Sequence, residues 1–169
     1  MDIRFVPEDP AKDSVKACCR EITLVDVEAV CRIEQANQGW AWSREQILFE
    51  LSDQCRVRGG GFSAVLVNDA EILGYYFARQ ILDQCDLLNL GVDKPYRQQG
   101  WGRVLLEHFK RKAISRGAQA LNLELRSGNI SALALYKSFG FLVVGERKAY
   151  YRDNGDDSWL MTAKLTPKL

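Results

Sequence analysis

The sequence predicts an α/β domain, a mixed sheet with helices on both faces, and three observations carry this. Apolar spacing alternates between helical and strand-like stretches in the order αα, ββ, then β-α-β-α-β-β. The apolar run at 87–92, LLNLGV, ends at a Lys94-Pro95 break. It then passes through Arg97-Gln98-Gln99-Gly100-Trp101-Gly102-Arg103 directly into a helical pattern. The segment 120–125 alternates cleanly, with Leu121, Leu123 and Leu125 on one face and Asn122 and Glu124 on the other. A strand, a helix and a second strand in that order form a right-handed crossover, which sets Glu124 on a strand beside the 87–92 run.

Each element has its own local signal. Residues 1–20, with Pro7 and Pro10, read as a loosely ordered extension, and 21–169 as a single domain. A short strand is expected at 21–24, then a helix opened by Asp26 with Val27, Val30, Cys31 and Ile33 on one side. Ser43 and Gln46 form a capping box for a helix reaching about Leu51. Strands follow at 62–67 and 72–81, joined by an Asn68-Asp69 turn. The helix at 100–116 carries Gly102, Leu105, Leu106, Phe109 and Ala113 on one face and stops at Gly117. Asn129 caps a helix running to Phe139, Gly140 ends it, and strands at 141–147 and 159–165 flank a polar loop, 152–157. There is no internal repeat and no low-complexity segment.

Composition narrows the function. The 169 residues suit one domain that buries roughly two-thirds of its unfolded surface. A net charge of +1 gives no global pull toward nucleic acid or an anionic membrane, so neither is expected as a direct partner. No apolar run is long enough to span a bilayer, and the start of the chain lacks the apolar core of a secretory signal. Five cysteines without a C-x-x-C pair or a neighbouring histidine read as reduced thiols of a cytoplasmic protein, with no metal site. The single histidine, His108, reads as a surface residue of a charged helix, which removes most Ser/His and Cys/His schemes.

The chemistry-bearing stretch is therefore 88–102. Two glycines at a helix mouth, flanked by arginines, leave backbone N–H donors unobstructed at the positive end of the helix dipole. That arrangement suits phosphate. Taken singly, the other candidates have ordinary readings. Glu124 is a half-exposed strand residue paired with Arg126, Tyr136 a core aromatic, and Asn129 an N-cap.

Together they match a known pattern. Arg97-x-x-Gly100-x-Gly102 after a strand resembles the pyrophosphate loop of the GNAT superfamily of N-acetyltransferases. Asn129 through Leu135-Tyr136 to Gly140-Phe141 looks like that superfamily's second hallmark. Within it, the chain is most similar to the RimI-type acetylases of ribosomal-protein N-termini. The similarity rests on Ile33-Glu34-Gln35, Trp42-Ser43, Leu123-Glu124-Leu125-Arg126 through Asn129, and Tyr150-Tyr151 followed by Gly155. It departs from them at Ala41, where the family often has proline, at Ser127-Gly128 after Arg126, and over the first 20 residues, which have no counterpart.

The resemblance, which covers about residues 21–165, implies a central mixed, mostly antiparallel sheet. It implies acetyl-CoA as cosubstrate, held by Leu90, Gly91, Val92, Arg97, Gln98, Gln99, Gly100, Trp101, Gly102, Arg103 and Asn129. Glu124 would be the general base and Tyr136 the general acid. The acceptor would be the N-terminal alanine of a small-subunit ribosomal protein, and the enzyme a monomer. Trp42, Tyr150 and Tyr151 would wall the groove for that peptide. Asp153, Asp156 and Asp157 read more simply as a solvated loop than as contacts to its basic residues.

The chemistry agrees with an α-amine acceptor. With a pKa of about 7.7–8.0, roughly a quarter to a third of α-amines are neutral near pH 7.5, against about one lysine in a thousand. A glutamate acting directly or through water is an adequate base for the former. Two rivals keep weight: the same fold acting on a small-molecule amine or on other protein N-termini, and a non-catalytic acyl-CoA-binding module. A nucleotide site is weaker, because the loop lacks a third glycine and no Gly-Lys-Ser/Thr occurs.

Overall fold

In the computed structural model, residues 17–37, 41–151 and 155–165 are described. The chain runs β1 (Ala17–Glu21), α1 (Val27–Asn37), α2 (Arg44–Leu51), β2 (Gly61–Asn68), β3 (Glu71–Ile81) and β4 (Gln84–Val92). It continues through α3 (Trp101–Ser115), β5 (Ala120–Arg126), α4 (Ile130–Ser138), β6 (Leu142–Arg147) and β7 (Ser158–Lys164). The strands form one sheet in the order β1-β2-β3-β4-β5-β7-β6. Every neighbouring pair is antiparallel except β4–β5, which α3 joins as a parallel pair. This is the mixed, mostly antiparallel sheet that the resemblance implied.

Strand alternation divides the core into two layers. Ala64 and Leu66 of β2, Tyr76 and Ala78 of β3, and Leu121, Leu123 and Leu125 of β5 pack with Leu105, Leu106, Phe109 and Ala113 of α3. Val65, Tyr75 and Phe77 point the other way, onto Val27, Val30 and Ile33 of α1 and Ile47 and Leu51 of α2. Because the β5 leucines take the α3 side, Asn122, Glu124 and Arg126 must rise on the α1/α2 side.

The first strand differs from expectation. It ends at Glu21, where it was expected to begin, and residues 17–20 of the supposed extension are part of it, paired with β2 from Ala17↔Asn68 to Glu21↔Ala64. The expected strand residues 22–24 instead enter a helical turn, Leu24–Asp26, where Leu24 and Val25 are exposed. Asp26 fixes this turn. Its carboxylate accepts from the Thr23 N–H at 2.8 Å and takes both Arg20 guanidinium nitrogens at 2.7 Å. The Arg20 hydrogen bonds hold this carboxyl down at about 2. Residues 1–16, the bulk of the expected extension, lie outside the described residues.

His108 also differs. It is half-buried, its Nδ1 lies 2.9 Å from the Tyr76 hydroxyl, and burial pushes it down to about 4, so it is neutral at pH 7. It belongs to the α3 core contact and lies apart from the candidate site.

Candidate active site

The site begins with a defect in β4. Phe77 of β3 faces Asn89, but Ala78 faces Leu87, so Leu88 is an extra residue, a bulge. On the other edge, parallel pairing to β5 stops at Leu87↔Leu123. Beyond that point, among the described residues, one edge of the 88–91 backbone faces no strand, and a ligand can approach it there. Gly91 lies in this segment. A Cβ there would meet the Tyr75 ring at 2.8 Å, which explains the glycine.

The loop after β4 is tied down at both ends. Asp93 is buried, accepts from the Lys94 N–H at 2.8 Å and receives Arg32 at 2.8 Å. Arg97 Nε donates to the Val92 carbonyl at 3.2 Å, and Gln99 donates to the Pro95 carbonyl at 3.0 Å. Gln98 and Gly100 take positive φ, +59° and +88°, and Gly100 is the N-cap of α3. The first α3 amide with an intrahelical acceptor is that of Arg103, bonded to the Gly100 carbonyl at 3.0 Å, so the Trp101 and Gly102 amides precede the ladder. A Cβ on Gly102 would stand 3.3 Å from Leu135 Cδ2 and 3.8 Å from Val92 Cγ2, which seats the helix mouth between β4 and α4. The indole Nε1 of Trp101, at the start of α3, is a buried donor without a partner among the described residues. An anionic, hydrogen-bond-accepting group such as a pyrophosphate fits this mouth.

Two cavities meet at Glu124. A smaller one, about 270 Å³, lies in the gap between β4 and β5 and is lined by Leu90, Glu124, Asn129 and Tyr136, among others. A larger one, about 640 Å³, opens on the α1/α2 side between Trp42, Tyr150, Tyr151, Asp86 and Glu124. Trp42, Leu87, Leu88, Leu123, Glu124 and Tyr151 border both. The structure thus brings Glu124, Tyr136, Asn129, the end of β4 and the three aromatics together. Glu124 is paired with Arg147 at 3.2 Å rather than with Arg126, whose guanidinium stacks 3.9 Å over the Tyr151 ring. Tyr136 packs against Phe141, and burial pushes its phenol up to about 12, so it keeps its proton at any physiological pH.

The acidic loop turns inward. Asp157 accepts from Lys148 and the Ala149 N–H, each at 2.9 Å, and Asp156 lies 3.7 Å from Arg126. Asp153 lies outside the described residues.

One buried carboxylate was not singled out as a site residue. Glu34, 1% exposed, accepts from the Trp42 N–H at 2.9 Å, from the Asn89 amide at 3.0 Å and from the Tyr75 hydroxyl. It ties the aromatic wall to the bulged strand, and burial raises its pKa. The signal was available: Val27, Val30, Cys31 and Glu34 occupy i, i+3, i+4 and i+7, so Glu34 is a carboxylate on the apolar stripe of α1.

A splayed parallel strand pair, a glycine-capped helix mouth and a carboxylate between two cavities suit a transferase that grips a phosphate-bearing donor. Residues 27–141 match the Acetyltransferase (GNAT) family. The chain belongs to that family, whose members use acetyl-CoA. The ribosomal protein bS18-alanine N-acetyltransferase of Escherichia coli K12 is 30% identical over 147 residues, which cover 86% of this chain and 95% of that enzyme. Its Haemophilus influenzae counterpart is 35% identical over 131 residues, covering 78% and 85%. The crystal structure of the Escherichia coli ribosomal-protein-S18-alanine N-acetyltransferase superposes with a TM-score of 0.81 at 28% identity, over 90% of this chain and 96% of that one.

Proposed function

We propose that the protein acetylates the N-terminal alanine of a small-subunit ribosomal protein, with acetyl-CoA as donor, Glu124 as general base and Tyr136 as general acid. The observation that carries this is the position of Glu124 where the cofactor-side and acceptor-side cavities join. The similarity to the bS18-alanine enzymes supports the choice of acceptor.

Gly100, Trp101 and Gly102 offer N–H groups to the pyrophosphate, with Gln98, Gln99, Arg97, Arg103 and Asn129 around it. Leu90, Gly91 and Val92 offer the open β4 edge to the acetyl carbonyl and polarise it. Trp42, Tyr150 and Tyr151 wall the path of the incoming peptide. As the amine nitrogen bonds to the acetyl carbon, Glu124 takes the proton it releases, directly or through a water. As the C–S bond breaks, Tyr136 gives its proton to the sulfur. The burial that raises the phenol also raises a thiol in the same cavity, which keeps donor and acceptor matched. The Arg147 pair to Glu124 is half-exposed and therefore weak, so the incoming amine displaces it at little cost.

The test is mass analysis of peptides incubated with the protein and acetyl-CoA. A free N-terminal alanine is expected to gain one acetyl group and a blocked one none. Labelling confined to lysine, or a small amine outcompeting every peptide, would contradict the proposal.

A further inference from the structure

The larger cavity holds two carboxylates on its sheet floor, and only one is spoken for. Glu124 is paired with Arg147, whereas Asp86 has no ion pair among the described residues. Its register neighbour on β3, Arg79, is turned away to Glu50 at 2.7 Å. Asp86 is nevertheless held firmly. Asp86, Asn122 and Thr162 face one another across β4, β5 and β7. The Thr162 hydroxyl donates to Asn122 Oδ1 at 2.8 Å, and Asn122 Nδ2 donates to Asp86 Oδ1 at 3.1 Å. An ionised carboxylate only accepts, so Asn122 must turn its NH₂ group toward Asp86, which leaves Oδ1 to accept from the Thr162 hydroxyl. One carboxylate oxygen is fixed by this relay and no bond among the described residues engages the other.

We propose that Asp86 is a specificity residue of the acceptor cavity and receives a cationic side chain, lysine or arginine, on the second residue of the acceptor. This rests on the N-terminal acetylation reading above. Asn122 and Glu124 are two residues apart on β5, so the Asp86 rung lies roughly 7 Å along the strand from Glu124. With the α-amine at Glu124, the second Cα is about 3.8 Å beyond the first, and a lysine or arginine stem spans the rest. The described carboxylates of the acidic loop, unlike Asp86, are already paired, Asp156 with Arg126 and Asp157 with Lys148. A positioned carboxylate with a spare oxygen suits a guanidinium or ammonium and disfavours an acidic second residue.

The experiment compares two peptides with N-terminal alanine that differ only in the second residue, arginine or its neutral isostere citrulline. In the native protein the ratio of kcat/KM values is expected to be about ten in favour of arginine, and to shrink as salt is raised. In Asp86→Asn the ratio should fall to near one, and in Asp86→Glu much of it should survive. A native ratio near one, or an unchanged ratio in Asp86→Asn, overturns the inference. Transfer to neither peptide would mark failure of the underlying reading, and with it of this one. It is distinguishable from equal transfer to both.

Discussion

The two cavities that meet at Glu124 are built by different means. The side that the proposal gives to the cofactor is built mainly of backbone: the edge of β4 beyond Leu87, the bulge at Leu88, and the amides at the mouth of α3, with Asn129 and Tyr136 beside them. The side it gives to the acceptor is made of side chains, Trp42 before α2, Asp86 on β4, Tyr150 and Tyr151 after β6, and Thr162 on β7. Backbone recognition suits a donor that never changes, since amides read phosphate and carbonyl alike. Side-chain recognition lets the acceptor be changed residue by residue while the donor grip stays intact. Glu34 bonds to both sides, through Trp42 and Asn89.

That division can be broken or sharpened by substitution. Among substitutions that leave Glu124 in place, the largest effect is expected from Tyr136→Phe, which keeps the packing on Phe141 but removes the proton donor. The turnover number should fall roughly a hundredfold with little change in binding of either substrate, as stopped-time assays and binding titrations can show. Gly100→Ala places a side chain at φ +88°, where nothing crowds it within 4 Å, so its cost is conformational, about 1–2 kcal/mol. Relaxing that strain moves the helix mouth, and coenzyme A affinity measured by calorimetry should drop about tenfold while peptide KM holds. Trp42→Ala should do the converse, raising peptide KM by several-fold with coenzyme A affinity unchanged. If either variant moves both quantities together, the two sides are not separate.

The smallest effect on activity belongs to Asp26, far from the chemistry. Its folded pKa, about 2, lies below the unfolded value near 3.9. Its contribution is therefore present above the unfolded pKa and is lost as pH falls through the folded one. Asp26→Asn should lower stability by about 2 kcal/mol at pH 7 in denaturant melts, with the gap to the native chain closing by about pH 2. Turnover at pH 7 should be nearly native.

The same contrast explains what the sequence made legible. Gly100 and Gly102 announce themselves because left-handed backbone and close approach need glycine, and the alternation at 120–125 gives away which way Glu124 points. The Asp86–Asn122–Thr162 row is invisible in one dimension, because its members are brought together only by the pairing of three strands. Arg147 as the partner of Glu124 was hidden for the same reason, β6 and β5 being bridged by β7. The misplaced first strand had a different cause. Its residues, ACCRE, carry no alternation, and the sheet edge they complete is supplied by β2.

The most direct test of the central claim, that acetyl transfer is driven from the junction of the two cavities, is turnover and coenzyme A binding measured side by side in Glu124→Gln. The account predicts a turnover number reduced by about a hundredfold or more, with coenzyme A affinity close to native. Turnover within a few-fold of native would contradict it.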